Sequence, residues 1–266
     1  MKKVLFIAAA FALTIASCGN KQKVTESEMQ DSVRAFEQFQ IEASIKVQLD
    51  SLASEAQKLK GIPGIQNMKD GIQLTDEEKM VKPTYLLDVA EVNDLQTLSE
   101  KYRALAMLFV DKKVAEAYDM DVTPYDEAIS KLLADVNDPA LGTLNSTATY
   151  EENISTLYDA EEAAGRINLF WEMTTASTVE QVYVLCQNID KYITAIDDEA
   201  AENMTFRMIL LTDAMDRLSD YDNNVAELND AIQPLKILDA ITVDQLKAQL
   251  EELKGDMEAV RSSLLK

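Results

Sequence analysis

Residues 243–264, VDQLKAQLEELKGDMEAVRSSL, decide the fold class: Val243, Leu246, Leu250, Leu253, Met257, Val260 and Leu264 recur at alternating spacings of three and four. With 3.6 residues per turn, that spacing keeps all seven side chains on one helical face. Thr242 and Gln245 open the stretch as a capping box, the hydroxyl accepting from a free amide and the Gln side chain reaching back. The same seam recurs upstream through Val179, Val182, Cys186, Ile189, Ile193 and Ile196, with Ser177 and Glu180 as its capping box. A further seam runs through Ala201, Met204, Met208, Leu211, Met215 and Leu218. Between these two the spacing jumps to five across Asp197, Asp198 and Glu199, which predicts a break there. The later seam continues through Val225, Leu228, Ile232 and Leu235, with Asp222 as a polar intrusion, until Pro234 ends or kinks it.

The first half reads the same way. One helix is expected from Val24 to Lys60, capped by Thr25 and Glu28 and striped by Ile45, Leu49, Leu52, Ala56 and Leu59. A second runs from Val92 to Tyr118 on Leu95, Leu98, Tyr102, Leu105 and Phe109. Thr123-Pro124 starts a third, because proline suits the first helical position. A helix from Tyr150 to Thr174 carries Ile154, Leu157, Ala164, Ile167 and Trp171. Beyond the leader no run alternates with period two, so no sheet is expected. Heptad-like seams joined by short turns predict an all-α fold, an antiparallel helical bundle of about six to seven helices crossing at roughly 20°. The bundle domain spans 25–266, and the small polar residues of 137–149, NDPALGTLNSTAT, read as a surface turn that would separate sub-bundles 25–136 and 150–266.

The leader is of another kind. Lys2 and Lys3 precede an apolar stretch from Val4 to Ile15, followed by Ala16, Ser17 and Cys18. This is the order of a secretory signal peptide, and it is shorter than the ~20 apolar residues of a membrane span. Ile15-Ala16-Ser17-Cys18 resembles the lipobox of bacterial lipoproteins. The resemblance implies cleavage after residue 17, lipidation of Cys18, and a tether over 18–24. Burying acyl methylenes at about 0.8 kcal/mol each makes two or three chains a firm anchor. Gly19 in place of Asp points to the outer membrane, and Gly19-Asn20-Lys21-Gln22-Lys23 lacks the acidic run that resembles surface-export signals of Bacteroidetes, so a periplasm-facing envelope location is expected. Asp31-Ser32-Val33 and Asp50-Ser51-Leu52 resemble the O-glycosylation sequon of that phylum, which would modify Ser32 and Ser51.

Composition removes several function classes. The chain carries 25 Lys and Arg against 47 Asp and Glu, and loss of Lys2 and Lys3 with the leader takes the net charge from −22 to −24. Such a surface excludes nucleic-acid binding through phosphate neutralisation and repels anionic headgroups. The protein has no histidine, which removes Ser-His-Asp and Cys-His nucleophiles and imidazole-based zinc sites. Once Cys18 is acylated only Cys186 remains, at a seam position, where it reads as a small buried hydrophobe; no intramolecular disulfide can then form. No cofactor, metal site or catalytic residue is expected.

Remaining candidates are weighed against packing. The segment 61–74 holds Gly61, Gly64, Gly71 and Pro63 interleaved with Ile62, Ile65, Met68, Ile72 and Leu74. It is either a connector packed on the bundle or a loop presenting those five apolar side chains to a partner or ligand. Asp220, Asp222 and Asn224 resemble the opening of an EF-hand, but Val225 stands where glycine is required and Ala231 where the bidentate Glu belongs, so a helix cap or a solvated face is the better reading. With so many acids, carboxylate proximity alone carries no catalytic information. Phe170, Trp171, Met204, Met208 and Met215 fall at core spacings, and Arg166 lies one turn after Glu162, as in an ordinary ion pair. The function expected is that of a lipid-anchored, non-catalytic envelope lipoprotein that acts as a protein-interaction or structural module. A periplasmic small-ligand carrier or sensor is the alternative; an enzyme limited to carboxylates, Tyr, Ser or Lys comes third.

Overall fold

The computed structural model describes residues 26–56, 74–144 and 150–265. Among these it contains ten α-helices and no strand, so the chain is an all-α bundle. The helices are α1 (Glu26–Ala56), α2 (Asp76–Met80), α3 (Leu98–Ala117), α4 (Thr123–Val136), α5 (Tyr150–Ala163), α6 (Ile167–Gln187), α7 (Ile189–Tyr192), α8 (Asp198–Leu218), α9 (Asn223–Ile232) and α10 (Val243–Ser263). The number exceeds the expected six to seven because two predicted helices are divided and two are only four or five residues long. Contacts divide the chain into compact units of residues 1–39 and 40–266. Residues 26–39 of α1 belong to the first, and everything below on packing concerns the second.

Local chemistry sets most boundaries. Thr75 with Glu78 and Thr97 with Glu100 form complete capping boxes at α2 and α3, each threonine accepting from the amide three residues on. The Thr97 box moves the expected start at Val92 to Leu98, leaving 91–94 as a 3₁₀ turn. Asp197 caps α8 at the expected break, and Asp222 caps α9 by accepting from the amides of Asn224 (2.8 Å) and Val225 (3.3 Å). The cap reading of Asp222 is therefore the one the structure adopts. At α10, Thr242 accepts from the Gln245 amide at 3.3 Å, but Gln245 Oε1 takes the amide of Ile241, one residue earlier than a capping box requires. Pro124 stands second in α4, after Thr123, rather than first.

A second predicted boundary is displaced farther. The helix expected over 150–174 ends at Ala163, where Gly165 takes φ +69° and the Gly165 and Arg166 amides bond to the Glu162 and Glu161 carbonyls. Ser177 and Glu180 do not start a helix; both lie buried inside α6. Thr174 Oγ1 bonds to the Phe170 carbonyl and Thr178 Oγ1 to the Thr174 carbonyl, so the hydroxyls near the expected break fold back onto the helix and leave it continuous.

α3 and α6 form the centre. Fourteen of twenty residues in α3 and seventeen of twenty-one in α6 are buried, the signature of helices covered on every side. They pack most extensively against each other, and α10 covers α6. Tyr183 to Glu258, Glu180 to Arg261 and Cys186 to Leu250 run in opposite chain directions, so α6 and α10 are antiparallel as expected. The central pair is different: Arg103 meets Glu172 and, eight residues on in each helix, Asp111 and Glu180 meet the same Arg261, so α3 and α6 run parallel, which α4 and α5 between them permit. Helices from both sides of residues 137–149 thus share one core. Within that segment Asn137 is a left-handed cap (φ 49°) and is exposed, as is Pro139, but Asp138, which caps a 3₁₀ turn, and Ala140 and Leu141 within it are buried, which corrects the surface reading for those three residues.

Candidate functional site

Cys18, Ile62, Ile65, Met68 and Ile72 lie outside the described residues. Leu74, the last residue of the candidate loop, is buried and belongs to the core. Ser32 is exposed on α1, and the side chains of Ile45, Ser51 and the rest of the expected stripe from Leu49 lie outside the described ones.

The first turns of α1 carry an unusual face. Met29, Val33 and Phe36 follow the four–three rhythm that superimposes side chains along a helix, with Phe39 flanking them. They are 60%, 51%, 42% and 58% exposed, the longest such apolar series among the described residues. Acidic and polar residues surround them, including Asp31, Glu37 and Gln38. An isolated exposed apolar residue is ordinary; four on one side of a helix make a continuous apolar stripe. Farther along, α1 belongs to the second unit: Ile41 packs on the core, Lys46 pairs with Asp159, and the Tyr158 hydroxyl donates to the Glu42 carbonyl at 3.2 Å.

Inside the bundle, charges take the place of apolar side chains. On α3, Arg103 and Asp111 are eight residues apart; on α6, Glu172 and Glu180 are eight apart; the two helices match them rung for rung. Arg103 Nε donates to Glu172 Oε2, Ser99 to Glu172 Oε1 (3.1 Å), and Arg103 Nη1 to the Leu264 carbonyl (3.3 Å). In the other rung Arg261 Nε donates to Glu180 Oε2 at 2.7 Å, and its guanidinium lies 3.6 Å from Asp111. Asp111 Oδ2 also accepts the Leu87 amide at 2.6 Å. Two buried carboxylates share one guanidinium there, and Asp111 Oδ1 and Glu180 Oε1 have no donor. Burial first, and the charge of Glu180 second, hold the Asp111 carboxyl well above its usual range, and burial raises Glu180 as well. Both carboxylates come from fully buried positions on the two central helices, so the rung ties those helices to α10.

Sequence reasoning assigns no role to Arg103, Asp111, Glu172 or Arg261, and takes Glu180 for a capping residue. Their signal was a charge standing among apolar neighbours on every side, as with Glu172 between Trp171 and Met173. Arg166 was expected to pair with Glu162; it reaches Asp138 and Glu161 instead, because the Gly165 turn swings it off the α5 surface.

A cleft of about 420 Å³ opens beside the Arg103 rung, lined by Ser99, Glu100 and Arg103 of α3, Glu227 and Leu228 of α9, and Leu264. Its chemistry mixes one guanidinium already tied to Glu172 with two carboxylates and an apolar wall. Cys186 is fully buried, and burial pushes its thiol up to about 12, so it is not a nucleophile. Met204, Met208 and Met215 are core, as are Phe170 and Trp171, whose rings meet edge-on at 5.0 Å. Among the described residues no cluster of three acidic or thiol side chains is placed to hold a metal ion, and no helix is long and apolar enough to cross a membrane.

Comparison of the chain with models of protein families, with curated proteins and with solved structures finds no match.

Proposed function

We propose that this chain is a lipid-anchored, non-catalytic envelope lipoprotein that works as a protein-interaction module, held through Cys18 at the outer membrane and facing the periplasm. The observation that carries the reading is the exposed series Met29, Val33, Phe36 and Phe39 on α1. Its four–three spacing suits a partner helix or a groove that receives one, the mode in which residues at i, i+4 and i+7 act as anchors. The lipobox resemblance supports the anchor, and the series begins only eleven residues after Cys18, which keeps the contact surface close to the membrane. The internal charge rungs support a module whose own fold is rigid and whose function lies on its surface.

Crosslinking in intact cells, followed by purification of the tagged protein and mass spectrometry, tests this. A dominant envelope protein that disappears when Val33 and Phe36 are replaced by Ser supports the reading. Recovery of the protein alone, with Cys18 unlipidated, overturns it. The cleft beside Arg103 favours a second reading, a small-ligand carrier or sensor, since its volume falls within the range of ligand sites. Native mass spectrometry of the purified protein distinguishes that outcome.

A further inference from the structure

The turn between α5 and α6 holds a second charge cluster, independent of the surface invoked above. Arg166 closes the turn and donates through Nη2 to Asp138 Oδ1, while the Tyr102 hydroxyl of α3 donates to Asp138 Oδ2. Glu161, in the last turn of α5, lies 3.6 Å from Arg166 Nε and is wholly buried. Neither of its carboxyl oxygens has a hydrogen-bond donor, and Arg166 Nε has no acceptor. Two buried carboxylates therefore face one guanidinium that is already committed to the other acid. An ionised Glu161 would leave the cluster with an uncompensated negative charge away from water, a costly state. A proton on Glu161 makes the cluster neutral.

We propose that the Asp138, Arg166 and Glu161 cluster is a pH-operated latch: with a proton on Glu161 the α5–α6 turn is closed on the 138–143 turn, and loss of that proton to solvent loosens it. Among the described residues, the charged and titratable groups around Glu161 fit this role. Asp138 comes from the 3₁₀ turn and Tyr102 from α3, both on the acceptor-rich side, and Arg166 supplies the cation. On the α1 side of α5, Lys46 is occupied by Asp159, and the Tyr158 hydroxyl by a carbonyl, so neither offers Glu161 a counter-charge. Burial first, then the charge of Asp138, raises the Glu161 carboxyl to about 7, against the pull of Arg166. For an acid raised from an ordinary value near 4.5, the folded state holds the extra proton between the two values. Stability is then greatest at low pH, falls as pH rises through that window, and the loss is complete above about 7.

The chain provides its own reporter. Trp171 is the only tryptophan, and it stacks edge-on against Phe170, which in turn meets Tyr158, one turn before Glu161 on α5. Titration of the full chain from pH 5.5 to 8.5 should shift Trp171 emission with a midpoint near 7 and lower Tm by about 5 °C. Glu161→Gln, which keeps the shape of the protonated acid, should hold the low-pH emission throughout and flatten the Tm profile. A wild-type emission that does not change over this range overturns the proposal, as does an unchanged transition in Glu161→Gln. Should that variant fail to fold, carboxyl carbon-13 NMR of glutamate-labelled wild type decides: a buried Glu titrating near 7 supports the latch, and no glutamate titrating above 5.5 refutes it.

Discussion

α6 and the first turns of α1 invert each other. α6 lies at the centre of the bundle and buries Glu172 and Glu180 at zero exposure, whereas residues 26–39 of α1 expose two phenylalanines, a valine and a methionine. Hydropathy alone would have placed these residues the other way round. Burial of a charge is decided by whether a partner of opposite sign stands within reach, and a buried apolar side chain needs only a neighbouring surface to cover it. The contrast separates residues that specify how the helices fit from residues that the proposed role assigns to another molecule.

The strongest way to break this contrast is to remove the cation on α10. Arg261→Leu should cost about 3–5 kcal/mol in denaturant unfolding, because it strands Glu180 and Asp111 without a counter-charge. Combining it with Glu180→Met should recover most of that loss, since an apolar pair replaces the ion pair and Asp111 can remain protonated. A double variant as unstable as the single one would show that the rung is needed for more than charge balance. The Glu161 latch comes next: the sequestered proton is worth about 3 kcal/mol at most, read as the difference in stability between pH 5 and pH 8 that Glu161→Gln abolishes.

A smaller effect belongs to the helix ends. Asp222→Ala should cost about 1 kcal/mol through loss of the α9 cap, and calcium should leave Tm unchanged in either protein. Replacing Val33 and Phe36 by Ser should change stability least, by less than about 0.5 kcal/mol for each surface substitution, while capture of the partner is lost. A large destabilisation there would mean that the α1 face is covered within the folded chain and is not a contact surface. Cys186 gives a chemical control: a thiol reagent should label it only on unfolding, because the sulfur is buried and held protonated.

Much of the architecture is legible along the chain. The seams at Val243–Leu264 and Ala201–Leu218 became α10 and α8, the acidic run at 197–199 marks the break it predicted, and Asp222 is the cap that its failed EF-hand pattern suggested. The errors are instructive. Ser177 and Glu180 imitate a capping box, but the hydroxyls of Thr174 and Thr178 bond back to the helix, and Glu180 points into the core to meet Arg261. Asp138 sits in a polar, turn-like stretch, yet Tyr102 and Arg166 draw it inside. The exposed α1 series could have been found from Met29, Val33 and Phe36, but periodicity alone does not distinguish a stripe that packs from one left open.

Helical character and the ends of most helices follow from local sequence, because period and caps act over three or four residues. That α3 and α6 lie at the centre in parallel, and that Arg103 meets Glu172 and Arg261 meets Glu180, is settled by long-range packing. Those partners are 69 and 81 residues apart, so no local pattern encodes them. A charge becomes tolerable in the core only when folding brings its counter-ion into contact.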